Sequence, residues 1–220
     1  MSAQTGNAGL SVTRATTSGA GGMPGGGGMG AGGPAPVRIV VAYGFWIFLL
    51  SDIILFSALF AAYAVLSGQT AGGPSGRQLF ELRHVGIETV CLLFSSYTCG
   101  LGVLAIERRR MTGFYWCFAL TFVLGATFLG LELSEFAGMI ARGAGPSRSA
   151  FLSAFFSLVG LHGVHITAGL LWLIFMVAQA SVMGPRDFVR RRLLCFSLFW
   201  HALDIIWIGL MTMVYLMGAR

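Results

Sequence analysis

Apolar residues in this chain run in five long blocks divided by short polar ones. The blocks extend from about Val41 to Leu66, His84 to Ile106, Phe114 to Ile140, Leu152 to Ala180 and Leu193 to Met217. Each is longer than the roughly 20 residues a helix needs to cross a hydrocarbon core. The connections carry turn chemistry, such as Gly72-Gly73-Pro74 and Gly145-Pro146. All six prolines (Pro24, Pro34, Pro36, Pro74, Pro146, Pro185) fall outside the blocks, which predicts largely unbroken helices. Residues 1–36 are one third glycine with Ser, Thr, Ala and Pro, a composition that predicts a disordered tail. That tail has no apolar h-region and does not read as a signal peptide. The predicted fold is an all-α integral membrane protein: a five-transmembrane-helix bundle over residues 37–220 behind the Gly-rich tail.

Composition agrees with this reading. The chain is 56% hydrophobic and only 10% charged, against about 25% charged residues in ordinary soluble domains. A net charge of +6 could suggest nucleic acid. The arginines flank apolar spans instead, no basic stripe interleaves with aromatic residues, and no nucleic-acid partner is expected. Nine of the fourteen arginines lie in the tail, the second loop and the fourth loop, and five on the opposite side. The positive-inside rule therefore predicts a cytoplasmic N-terminus and a periplasmic C-terminus. Cys91, Cys99, Cys117 and Cys195 all lie within spans, form no Cys-x-x-Cys pair and read as small packing residues.

The informative residues are those that ought not to be in a membrane. Asp52, Glu88, Glu132, Glu135, His162, His165, His201 and Asp204 lie inside the spans, and every arginine lies outside them. A carboxylate near the middle of a lipid-facing helix costs roughly 2.5–3.5 kcal/mol on insertion scales. Such side chains are expected to face protein, water or a bound headgroup. Helical spacing puts Glu88, Cys91, Ser95, Thr98 and Gly102 on one face of the second span. Ser197, His201, Asp204 and Ile208 form a face of the fifth, His162, His165 and Gly169 of the fourth, and Glu132 and Glu135 of the third. These read as helix-packing faces. By depth the ionisable residues divide into two groups. His84, Glu88, Glu132, Glu135 and His162 lie towards the outer side, and Asp52, His165, His201 and Asp204 nearer the middle or inner half.

Several functions could use such residues. Di-iron carboxylate bundles place Glu-x-x-His on two helices, and this chain has no Glu-x-x-His. A haem would need an axial ligand, which a span histidine could supply, although electron-transfer haems in membranes usually take two facing histidines. A proton-coupled transporter suits intramembrane carboxylates, with Asp52 the best candidate, but five unbroken spans without an inverted repeat count against it. A non-catalytic subunit of a larger membrane complex fits several polar faces with no assembled catalytic set.

Longer segments point to a family. LFWHALDIIWIGLMTMVYLMG (Leu198 to Gly218) resembles the last helix of subunit III of haem–copper respiratory oxidases, and FFSLVGLHGVHITAGLLW (Phe155 to Trp172) the helix before it. YGFWIFLLSDIILFSALFAAYAVL (Tyr43 to Leu66) is similar to the helix that bears a carbodiimide-reactive carboxylate in many members. FELRHVGIETVCLLFSS (Phe80 to Ser96), GLELSEF (Gly130 to Phe136) and GPSRSAFLSAFF (Gly145 to Phe156) support the match. The likeness covers about residues 41–218. Five spans rather than seven resemble the cytochrome bo-type ubiquinol oxidase branch. Asp52 stands where many relatives carry Glu, so carbodiimide reactivity does not transfer to this chain.

The resemblance implies an accessory subunit of a bacterial inner-membrane complex that oxidises ubiquinol, reduces oxygen to water and pumps protons. Its implied partners are subunit I, subunit II, a small subunit IV and membrane phospholipids. Haems and copper are expected in subunit I, with no cofactor, metal or catalytic residue in this chain. The eight ionisable residues then become candidate buried polar, lipid or subunit contacts. The alternatives are a related oxidase with another electron donor or a small proton-coupled transporter.

Overall fold

The computed structural model describes residues 37–68, 82–184 and 186–216. The predicted tail over residues 1–36 and the Gly72-Gly73-Pro74 turn lie outside the described residues. Five helices follow one another: α1 Val37–Leu66, α2 Leu82–Glu107, α3 Met111–Ala141, α4 Ala150–Met183 and α5 Asp187–Leu210. A π-helical turn, Met211–Leu216, completes the last span. All five are long and apolar enough to cross a membrane, so the chain is a multi-pass membrane protein.

The helix ends have local causes. Ser149 caps α4, its hydroxyl accepting from the Leu152 N–H at 3.2 Å. Gly184, at φ 69°, closes α4 with its N–H on the Ala180 carbonyl, a backbone angle that favours glycine. Gly143, at φ 74°, does the same after α3.

Two sequence expectations change. The fifth helix begins at Asp187, not near Leu193, because charge ends a hydrocarbon span without ending a helix. Arg190 pairs with Asp187 one turn away, and Arg192 lies 4.1 Å over the Phe188 ring. The other change is at the far end, where the absence of proline does not keep α5 regular. From Met211 the backbone widens to π geometry, and the Tyr63 hydroxyl donates across from α1 to the Val214 carbonyl at 3.5 Å.

α5 lies at the centre and packs against α2, α4 and α1, while α2 pairs closely with α3. Its interior line is Phe196, Trp200, Leu203, Trp207 and Leu210. Glycines on neighbouring helices admit these large rings. A Cβ on Gly169 would stand 2.8 Å from the Trp200 ring, and one on Gly125 would stand 3.0 Å from it. A Cβ on Gly102 would come within 2.6 Å of Phe118, so α2 and α3 close only because that position has no side chain. The two indoles then bond to α2: Trp200 donates to Ser95 Oγ and Trp207 to Thr89 Oγ1, each at 3.0 Å. Thr98 and Thr121 join α2 to α3 at 2.8 Å. In a bilayer, where apolar contact is available from lipid as well, such close packing and hydrogen bonds hold helices together.

α1 is attached more lightly. It meets α4 and α5 along one seam, with Leu49, Phe56 and Tyr63 buried at seven-residue intervals. Most of its remaining side chains, including Trp46, Ile47, Leu50 and Ile54, are exposed.

Candidate functional site

The seam between α1 and α4 holds one of the ionisable pairs. His165 Nε2 lies 3.2 Å from Asp52 Oδ1, with both side chains mostly covered. The other ring nitrogen, Nδ1, is 2.8 Å from the Leu161 carbonyl. A carbonyl can only accept, so Nδ1 carries a proton. The Asp52 contact therefore also contains a proton, either on Nε2 as part of an imidazolium or on the carboxyl oxygen. Phe56 flanks the imidazole at 5.3 Å between ring centroids.

The second group is deeper and built differently. Glu88 on α2, Glu132 on α3 and His162 on α4 are 1%, 2% and 0% exposed. Neither carboxylate oxygen of either Glu, nor either ring nitrogen of His162, has a hydrogen-bond partner among the described residues. The Glu132 carboxyl sits against α4: a Cβ on Gly163 would be 3.0 Å from Glu132 Oε1. Gly163 adjoins His162, and Phe128, one turn before Glu132, meets the His162 ring edge-on at 5.8 Å. Trp207 stacks on the other side of that ring at 5.2 Å. Glu88 and the half-buried Glu135 lie within electrostatic range of Glu132.

Asp204 and His201 part company. Asp204 is buried beside Ser96 on α2. His201 points out of the bundle, its Nδ1 2.7 Å from the Ser197 carbonyl of its own helix. Ile208 is also exposed, at 44%. The expected packing face of Ser197, His201, Asp204 and Ile208 is thus not the interior face of α5. The larger Trp200, Leu203 and Trp207 occupy the interior and turn His201 outward.

A groove of about 610 Å³ separates the far ends of α1 and α5, lined by Ser57, Phe60, Ala61 and Ala64 opposite Ile208, Gly209, Thr212 and Met213. Both of its hydroxyls are spent on their own helices: Ser57 donates to Ile53 and Thr212 to Ile208. The surface left is apolar. Sequence reasoning missed this groove, because it depends on how two distant helices diverge. It also missed the indole bonds, although Ser95 was already on the polar face of α2 and Trp200 and Trp207 recur at helical spacing. Among the described residues, no group of three His, Cys, Asp or Glu is placed to hold a metal ion.

A bundle of five spans, with its polar side chains turned inward and no assembled catalytic set among them, is the architecture of a subunit rather than of a self-contained enzyme. The family model for cytochrome c oxidase subunit III matches residues 29–219, and the chain belongs to that family. It is 51% identical over 177 residues to the cytochrome bo(3) ubiquinol oxidase subunit 3 of Pseudomonas aeruginosa, covering 80% of this chain and 85% of that one. The protein of the same name from Buchnera aphidicola subsp. Baizongia pistaciae is 42% identical over 80% of this chain and 90% of its own. A quinol oxidase subunit 3 from Bacillus subtilis is 44% identical over 80% of this chain and 86% of its own.

Proposed function

We propose that this chain is the metal-free accessory subunit III of a proton-pumping ubiquinol oxidase of the cytochrome bo type in a bacterial inner membrane, with its N-terminus cytoplasmic. The observation that carries the reading is half identity, over four fifths of the chain, to a relative named cytochrome bo(3) ubiquinol oxidase subunit 3. The chain then contributes assembly and stability, and the haems and copper belong to subunit I. Two features of the fold support such a role. α1 leaves most of its apolar surface outside the bundle, where a neighbouring subunit or lipid would cover it. The α1–α5 groove is shaped and surfaced for an acyl chain.

In this reading none of the eight ionisable residues touches a reacting group. Asp52 and His165 join α1 to α4, and His201 faces lipid or a neighbouring subunit. The test is to purify the chain with whatever accompanies it and record the haem spectrum. Subunits I and II should copurify with haem and copper, and the chain expressed alone should show no haem absorbance and no stoichiometric iron or copper. Tightly bound metal in the isolated chain would refute the accessory role. Asp52→Asn should assemble with normal haem content and largely normal quinol oxidation; loss of turnover in a normally assembled complex would give Asp52 a direct part.

A further inference from the structure

Glu88, Glu132 and His162 present a problem that the accessory role does not solve. Six polar atoms on three helices lie out of reach of solvent, and no protein group bonds to them. A buried polar group left unpaired costs about 1–3 kcal/mol, more for a charged one. This group lies within the spans, where bulk water is absent and the cost is not relieved. Something other than the described side chains must satisfy these atoms.

We infer that an internal water cluster occupies the space between α2, α3 and α4 at this level and bridges Glu132 to His162 and Glu88. The chemistry selects water over other occupants. Carboxylate oxygens need donors, and a neutral imidazole offers one donor and one acceptor, so the occupant must both give and take hydrogen bonds. A metal ion cannot donate, and no group of three suitable side chains is spaced for one among the described residues. An apolar occupant would leave all six atoms unpaired. Buried waters typically make about three hydrogen bonds to otherwise unsatisfied groups.

The walls agree. Gly163 gives the Glu132 carboxyl room against α4, since a Cβ there would stand 3.0 Å from its oxygen. Trp207 and Phe128, both 0% exposed, shield His162 from the hydrocarbon side chains around it. Helices that would otherwise meet through unpaired acids are then joined by solvent.

The test is radiolytic hydroxyl labelling in oxygen-18 water on the purified complex in lipid nanodiscs. Trp207 and Phe128 are closed to bulk water, so oxygen-18 enters them only from water inside the bundle. Trp200 is the internal control, equally buried but two helical turns away and bonded to Ser95. The expected result is labelling of Trp207 or Phe128 well above Trp200, and loss of that difference in Glu132→Leu. Labelling of Trp207 and Phe128 no higher than Trp200 overturns the inference. A density map of the unmodified complex that resolves other internal waters provides an independent reading. A solvent peak within hydrogen-bond reach of Glu132 and His162 supports the water cluster. A direct carboxylate–imidazole bond, or a peak at the ~2.0–2.5 Å of metal–oxygen contacts, refutes it.

Discussion

Two acid–histidine groups lie a single turn apart on α4, and they solve the same problem in opposite ways. At the α1–α4 seam, Asp52 and His165 meet directly at 3.2 Å and stay partly open to the outside. Inside the α2–α3–α4 wedge, Glu88, Glu132 and His162 are closed off and meet no protein partner. Direct pairing thus goes with the loosely packed helix and isolation with the densely packed ones. The seam has few contacts, so a specific bond is worth keeping there. Around His162, aromatic rings fill the space that a protein donor would need, and the polar atoms are left to a smaller partner.

Substitutions can break or sharpen this contrast. The largest effect is expected from Trp207→Ala, which removes the ring stacked on His162 and the donor to Thr89. A loss of about 3–5 kcal/mol, the range for deleting a buried aromatic, should appear as a lower unfolding midpoint in a mild-to-harsh detergent titration. Gly163→Leu places bulk where the Glu132 carboxyl sits, and overpacking of about 1–3 kcal/mol should show in the same titration. A destabilisation equal to that of Trp207→Ala would mean that the wedge tolerates no rearrangement.

At the seam the numbers should be smaller. A double-mutant cycle on Asp52→Ala and His165→Ala should give a coupling near the ~0.6–1.7 kcal/mol measured for polar contacts between membrane helices. Zero coupling would show that the contact does not hold α1. The smallest effect belongs to His201→Ala, whose ring bonds only to Ser197 of its own helix. The isolated subunit should change by no more than about 0.5 kcal/mol. A clearly larger loss in the assembled oxidase than in the isolated subunit would place His201 at a subunit boundary.

The spans were legible because apolar runs of that length have only one stable outcome in a bilayer. The polar face of α2 was legible for the same kind of reason: Glu88, Ser95, Thr98 and Gly102 keep helical spacing, and all four face inward. On α5 the rule failed. Ser197, His201, Asp204 and Ile208 obey the same spacing, yet the tryptophans three and four residues away compete for the interior and win. Polarity alone did not decide the face; side-chain volume did. Partnerships were harder still. Nothing in the sequence tells that Asp52 would meet His165 across 113 positions, or that Glu132 would rest on Gly163, because each depends on how helices cross. The start of α5 was misjudged because hydropathy measures where a span ends, whereas the helix runs on through Arg190, Arg191 and Arg192.

The π-helical turn at Met211–Leu216 has an arithmetical consequence. An α-helix advances about 100° per residue, and a π turn takes up one additional residue without adding a turn. Everything beyond Met211 is therefore out of phase with the helical wheel that describes Trp200 and Trp207. Removing one residue from that stretch would restore an ordinary helix, swing the chain's end by about 100° and carry Val214 away from Tyr63. Adding one elsewhere in α5 would not compensate. In the currency of insertions and deletions, the end of this protein has an offset of one, and any alignment or graft that treats α5 as a uniform rod will misplace its final turn.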